Sequence, residues 1–347
     1  MLTLTNKAVP VNPRNSNLEL FRILMMLAIV AHHYVVNSGL LPVMAQKPNS
    51  CQSIGLYLFG MWGKTGINCF VLITGFFMCK LQISMKKLLR LIAEILFYSI
   101  IINLIFLITH KVSLSKELFF KSLNILADVN KNFVSAFLLY YCFIPFANTL
   151  VQNLSQKQHA TLIILGLFIY SVLGKFPWIF IKMDYLVWFI LLHFIASYIC
   201  FYGIFKDDNT RLWGGISIGL ALLAAFSVIL QITKGRIWPY WFVMDSNAPL
   251  AISCAVAWFN FFRNVRIKQS RFINTVAAGT FGVLLIHANS DTMRVWLWED
   301  LLNCSGQYGK PTLFLHAVLS VIIVFSVCNL IDFLRRRFIE TPLFAKL

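Results

Sequence analysis

The sequence predicts an all-α, polytopic membrane helix bundle of about ten transmembrane helices, with residues 1–347 forming a single integral membrane domain. Three observations predict it. The chain is 59% hydrophobic, where an ordinary soluble domain is roughly 45–50%. Charged residues make up only 12%, about half the usual share. The apolar residues gather in runs of about 20, the length at which a helix crosses a hydrocarbon core of about 30 Å. A water-soluble globule of this size could not hide so much apolar surface, which excludes a typical cytosolic enzyme, and such a composition does not stay disordered. The net charge of +17 would point to nucleic acid in a soluble protein. Here the basic residues sit in short segments between apolar runs, where they set topology and meet anionic headgroups, so no nucleic-acid partner is expected.

The ten runs cover about 18–36, 54–78, 89–109, 133–152, 159–174, 185–204, 212–232, 247–262, 273–288 and 312–333. The fifth and ninth are short or interrupted by polar residues. Ser16 or Asn17 is placed to cap the first helix, with Glu19 in its first turn near the positive end of the helix dipole. That run is no cleaved signal peptide, because it carries Glu19, Arg22, His32 and His33 and no small-residue cleavage site follows. With the N-terminus inside, 17 Lys and Arg lie in inner segments, among them Lys7, Arg14, Lys86, Lys87, Arg90, Lys206, Arg263 and Lys346, against 11 outside. The positive-inside bias therefore favours both termini inside, although the Lys of the 110–132 loop weaken it. No internal repeat is visible, and no soluble domain is expected after the tenth run.

None of the eight cysteines forms a CxxC pair, so neither a zinc site nor a redox motif is suggested, and no metal site is expected. Five sit within apolar runs as small hydrophobes. Cys51 and Cys304 both fall in outer connections, where a disulfide between them is one option.

The first run carries the chemistry. Arg22 and His33 are eleven residues apart, which on a helix returns them to within roughly 20° of one face, about 16 Å apart along the axis. Met26 and Ile29 lie between them. Ionisable groups at membrane depth are costly and normally face a cavity or a partner. Singly, Arg22 could snorkel to the interface beside Glu19 and His33 could be a packing residue; the pair on one face, with His32 and Glu19 adjacent, points instead to a site.

Arg22, ten residues, then His33 resembles the Arg-x10-His signature of the acyltransferase 3 family of integral membrane acyltransferases. Phe70-Val-Leu-Ile-Thr-Gly-Phe76 resembles that family's Phe-Phe-x-x-Ser-Gly-Phe segment, with Thr74 for Ser, and Lys86-Lys-Leu-Leu-Arg90 resembles the basic cluster after it. Phe133 to Pro145 is similar to its aromatic segment ending in proline. Gly282-Val-Leu-Leu-Ile-His287 is similar to its late Gly-x-Tyr-Leu-Ile-His segment, with Leu284 for Tyr, and Arg337-Phe-Ile-Glu-Thr-Pro342 resembles its ending. The segments come in the family's order over nearly the whole chain.

The resemblance implies a multi-pass protein of the bacterial cytoplasmic (inner) membrane that moves an acyl group, commonly acetyl from acetyl-CoA, to a hydroxyl of a cell-surface or lipid-linked polysaccharide. No permanently bound cofactor is implied; acyl-CoA is the donor substrate, and glycan and bilayer are the partners. A histidine suits the general-base role for a sugar hydroxyl, so His33 either takes that proton or carries the acyl group itself. Arg22, with Lys86, Lys87 and Arg90, would bind the phosphates of CoA, Arg being the preferred bidentate phosphate ligand. Glu19 would orient Arg22 through an i,i+3 pair. His287 at an outer helix end is either interfacial or catalytic. Lys64, in Trp62-Gly-Lys-Thr-Gly66, is a cavity candidate and no P-loop, the upstream glycine spacing being wrong. Arg294, Trp296 and Trp298 would bind sugar, or the tryptophans belong to an interfacial belt. His193 is expected in the core, His110 and His316 at span ends facing headgroups, and Arg335-Arg-Arg337 as an anchor to anionic lipid. The competing class is a transporter or flippase, against which stands the lack of repeat symmetry and of paired broken helices.

Overall fold

The computed structural model describes residues 15–176, 178–179, 181–204, 209–235 and 239–345; Lys7, Arg14, Lys206 and Lys346 lie outside the described residues. Among the described residues sixteen α-helices follow one another and there is no strand. Helix α1 is Ser16–Val36, α2 the short Leu40–Gln46, and α3 and α4, Cys51–Gly60 and Gly63–Met78, together form one span. Then come α5 Met85–Ile108, the short α6 Lys116–Leu123, α7 Phe133–Asn153, α8 Gln156–Leu167, α9 Tyr185–Tyr202, α10 Thr210–Thr233 and α11 Pro249–Asn264. Helices α12 Arg271–Ala277, α13 Thr280–His287 and α14 Asp291–Val295 precede the long α15 Leu313–Arg335 and a terminal α16 Thr341–Ala345.

Eight of these elements are long and apolar enough to cross a membrane, and a ninth is counted if the segments Arg271–His287 and Asp291–Gln307, bent by 98° to each other, make one broken span. The expected tenth, at 247–262, exists as α11, but its 16 residues reach only about 24 Å, and it lies largely buried against α10 and α4. Polar residues start most of the spans. Ser84, Asn132, Asp184 and Asn209 each accept a backbone N–H in the first turn of α5, α7, α9 and α10, and Ser155 forms a capping box with Gln158 at α8. The first helix departs from this pattern. Ser16 and Asn17 do not cap α1: Ser16 donates to Gln269 or Asn274, and Asn17 donates to the carbonyls of Phe262, Arg263 and Val265 at 2.9–3.1 Å. Asn17 thus satisfies carbonyls left open at the end of α11, and Ser16 ties α1 to the start of α12 instead of capping its own helix.

Helix α1 is the centre of the bundle, packed by α3, α4, α11, α12, α13 and α15. It runs antiparallel to α3 and α4, since a Cβ on Gly60 would meet Val35 while one on Gly66 would meet Ile29 and the Met25 carbonyl. The end of the bundle that holds the start of α1 therefore also holds the end of α4 and the start of α5. The Phe70–Phe76 segment earns its glycine by close packing: a Cβ on Gly75 would stand 2.9 Å from Ala196 on α9, so the two helices approach at a distance only glycine allows. Where α7, α9 and α4 meet, His193 is fully buried, as expected for a core histidine. Its Nε2–H donates to Asn148 and its Nδ1 accepts from the Tyr140 hydroxyl, each at 2.9 Å.

Two open points are settled: the optional bridge is absent, and the lipid-anchor expectation at the end of α15 fails. All eight cysteines are free, with Cys51 exposed and Cys304 buried beside Tyr34, so no bridge joins them. The Arg335–Arg337 cluster is not a lipid anchor as a unit, and only Arg337 is exposed. Arg335 is buried in an ionic knot with Asp332 (2.9 Å), Glu94 of α5 (3.1 Å) and Glu340 (2.8 Å), and Arg336 pairs with Asp332 at 2.8 Å. The Tyr98 hydroxyl completes it with a 2.9 Å bond to Asp332, and a side chain at Gly282 would collide with that carboxylate. Replacing the fully buried Asp332 by Ala leaves two arginines without their shared partner. We expect Asp332→Ala to cost on the order of 3–5 kcal/mol, read as a lowered thermal unfolding midpoint in detergent.

Candidate active site

Among the residues singled out from sequence, His33 and His287 meet. His33 lies three residues from the end of α1 and His287 is the last residue of α13; His33 Nδ1 is 2.9 Å from His287 Nε2. His287 Nδ1 in turn lies 2.6 Å from the Val283 carbonyl, which can only accept. With both rings neutral, one proton arrangement fits: His287 donates from Nδ1 to the carbonyl, accepts at Nε2 from His33 Nδ1–H, and leaves the lone pair of His33 on Nε2. The neighbouring His32 is engaged separately, its Nδ1 lying 2.6 Å from the Gly60 carbonyl, with its ring 5.8 Å from that of His33.

Two cations stand near His33. Lys64, at the start of α4, bonds the Tyr185 hydroxyl at 2.8 Å and sits over that ring, and its charge acts on both His32 and His33. The charge of Arg294 on α14 acts on both His33 and His287. Arg294 is held by Asp291 at 2.8 Å through Nη1, while its buried Nε–H has no hydrogen-bond partner among the described residues. A base with its lone pair exposed, a fixed ammonium and an unspent guanidinium donor together make a site that can deprotonate a hydroxyl and hold a developing oxyanion. The bend between α13 and α14 is what brings His287 and Arg294 to one place from a single stretch of chain.

The rest of the predicted set is distributed along the bundle. Glu19 is buried and pairs with Arg22 Nη1 at 3.2 Å, the expected i,i+3 contact. Met26 and Ile29, between Arg22 and His33 on α1, are buried, so the face they share is turned into the protein and not toward lipid. Lys86 and Lys87 are exposed at the start of α5, on the Arg22 end, and Arg90 lies over the Phe344 ring at 5.4 Å. Trp298 corrects its expectation. It is fully buried, edge-on to Tyr34 at 6.0 Å and to His287 at 6.4 Å, so it has no open face for a sugar and no place in an interfacial belt. Trp296 is half-buried against Phe106. His316 likewise faces inward, 2.9 Å from the Tyr34 hydroxyl, which leaves the exposed His110 as the one of that pair at a surface. Among the described residues no group of three or more His, Cys, Asp or Glu side chains is arranged to hold a metal ion.

Sequence reasoning missed Tyr185, the partner that fixes Lys64, and the acids of the ionic knot, Glu94 and Asp332. A signal for both acids was present, because each interrupts an otherwise apolar run, which is the same argument that singled out Arg22.

The central helix carries a histidine and an acid-paired arginine, and Lys64 and Arg294 reach the histidine from α4 and α14, a layout suited to group transfer within a membrane bundle. Residues 15–332 match the profile described as an acyltransferase domain, that of the acyltransferase 3 family. The chain belongs to that family, and is a multi-pass membrane acyltransferase. No curated protein and no solved structure matches it. The flippase alternative gives way to the family assignment.

Removing the His287 imidazole frees His33 to turn and to change tautomer. His287→Ala should lower kcat on the order of 10–100-fold with little change in the donor KM. His287→Gln, whose amide oxygen can still accept from His33 Nδ1–H, should recover part of the loss.

Proposed function

We propose that the protein transfers an acyl group, acetyl in the simplest case, from cytosolic acyl-CoA to a hydroxyl of a cell-envelope glycan at the bacterial cytoplasmic membrane, with both its termini in the cytosol. The observation that carries this reading is the His33–His287 contact, which leaves a basic nitrogen on the same helix as Arg22. The acceptor hydroxyl loses its proton to His33 Nε2 as its oxygen attacks the thioester carbonyl. The imidazolium so formed is stabilised through the Nδ1–H bond to His287. Negative charge on the carbonyl oxygen falls to Arg294 Nε–H and Lys64. When the C–S bond breaks, the CoA thiolate takes the proton back from His33 Nε2, leaving acylated glycan and free CoA. The base role is preferred to an acyl-histidine, since Nε2 then serves both proton transfers without a second covalent step.

The donor would lie along α1. Arg22 stands about 16 Å from His33 along the axis, a span suited to the pantetheine arm, and Arg22 with Lys86 and Lys87 would receive the phosphates. This orientation puts the Arg22 end in the cytosol, as the positive-inside bias favours.

Two measurements test it. Purified wild type in nanodiscs should release CoA from acetyl-CoA, slowly with water and faster with an acceptor glycan. His33→Ala should lower turnover about 10²–10⁴-fold while still binding CoA, and Arg22→Ala should raise the KM for acetyl-CoA. A folded preparation that binds no CoA would overturn the reading. For the orientation, a variant keeping only Cys51, which is exposed beyond the His33 end of α1, should react with a membrane-impermeant maleimide added to intact cells.

A further inference from the structure

His32 has no part in the transfer described above, yet its ring is as unusual as that of His33. Its Nδ1 lies 2.6 Å from the carbonyl of Gly60, the last residue of α3. A carbonyl can only accept, so Nδ1 carries the hydrogen and, with the ring neutral, the lone pair is on Nε2. That nitrogen has no hydrogen-bond partner among the described residues, and in this half-buried ring it is not sealed from its surroundings. His33 Nε2 is in the same condition.

The direction of the free lone pair is fixed by the fold. A Cβ on Gly63, at the start of α4, would collide with the His32 ring, so the glycine is what lets α4 close over the imidazole. The Gly60 bond and the Gly63 contact hold the ring from two sides. On a third stands the Tyr240 ring, 6.4 Å away and itself tied by its hydroxyl to the Tyr57 carbonyl at 2.9 Å. A histidine kept for packing has both ring nitrogens served, as His193 does. His32 is locked at one nitrogen and left open at the other.

Two imidazole acceptors on adjacent residues, with ring centres 5.8 Å apart, call for a ligand with two neighbouring donors. Hydroxyls on adjacent carbons, each bonding across about 2.8 Å, meet that spacing, and a lone hydroxyl serves one ring only. No third metal-ligating side chain is grouped with the pair among the described residues. Position separates His32 from the donor. It is turned about 80° from Arg22 around the helix, toward Gly60 and Gly63 and off the Arg22–His33 stripe along which CoA would lie.

We propose that His32 determines acceptor specificity: its Nε2 accepts a hydrogen bond from the hydroxyl next to the one that His33 deprotonates, so the acceptor offers two hydroxyls on adjacent carbons. This rests on the acyl-transfer reading and narrows it from any hydroxyl to one member of a vicinal diol. Two bonds in place of one also keep the reacting oxygen from turning away from His33 Nε2.

Three alcohols test it: vicinal cyclohexanediol, the isomer with its hydroxyls across the ring, and cyclohexanol, each given with acetyl-CoA to the purified protein while the acetyl ester is counted. Wild type should acetylate the vicinal diol with kcat/KM about tenfold above the other two, the worth of one hydrogen bond. His32→Ala should erase that preference, and His32→Gln, whose amide oxygen can stand in for Nε2, should keep part of it. Equal rates for the three alcohols in wild type would overturn the proposal. So would an equal loss on all three in His32→Ala, which would make His32 a second base. A further measurement needs no turnover, so a failure of acyl transfer is told apart from a failure of this inference. Diethyl pyrocarbonate, which modifies open neutral imidazoles, should label His32 and His33 and spare His193, as read by peptide mass. Excess vicinal diol should slow labelling of His32 more than the cross-ring diol does. An unlabelled His32, or equal protection by the two diols, would count against the proposal decisively.

Discussion

A single hydrogen bond between two imidazoles, from residue 33 to residue 287, joins the first long helix to the broken span near the other end of the chain. In water such a bond is worth little, because each ring has solvent as an alternative. Among membrane helices the alternative is an unsatisfied polar group in hydrocarbon, so the bond constrains rotation of α1 and α13 about their axes. Much else follows from that constraint. It fixes which face of α1 meets α13, sets the tautomer of His33, and brings Arg294, one bend further along, close enough for its charge to act on both rings.

The same economy governs the other polar groups inside the bundle. His193 is satisfied by Tyr140 and Asn148, Lys64 has Tyr185, and Trp188 bonds Asn68, which in turn donates to the Ser246 carbonyl. These sites differ in what they leave over. His193 has both ring nitrogens engaged and is inert. His33 has one engaged and one available, and Arg294 retains a buried donor. Reactive and structural polar residues are separated here by whether a lone pair or a proton remains after the neighbours have been served.

The helices could be read from the sequence because each apolar run is set off by polar punctuation, and nine of the ten expected runs reappear as spans or as the halves of the broken pair. The tenth, α11, is short at 16 residues, yet its end is tied to the starts of α1 and α10 by Asn17 and Thr210, so it runs back along α10 through the bundle and is apolar largely through burial among other helices. Arg22, Glu19, His33 and His287 were legible as ionisable residues out of place. Their pairing was not, since 254 residues separate the two histidines and only the packing of α13 on α1 relates them. Trp298 failed for a related reason. A tryptophan near a span end satisfies a belt, a sugar platform or a core with equal ease, and only tertiary burial decides. The arginines at the end of α15 were read by their charge alone, whereas two of the acids that neutralise them, Asp332 and Glu340, sit three and five residues from Arg335, and the third arrives from α5.

The ionic knot at the end of α15 also bears on how the chain is made. Glu94 enters the membrane with an early helix, long before Arg335 leaves the ribosome, and until then its carboxylate must be carried through the bilayer protonated, hydrated or near an edge. Helix α5 thus lacks, until α15 follows it, the arginine that neutralises Glu94 in the finished structure. Assembly of this protein has a built-in final step, in which the last span closes an electrostatic circuit that the third left open, and a chain that stops short of it would present an acid in an apolar helix to the quality-control machinery of the cell.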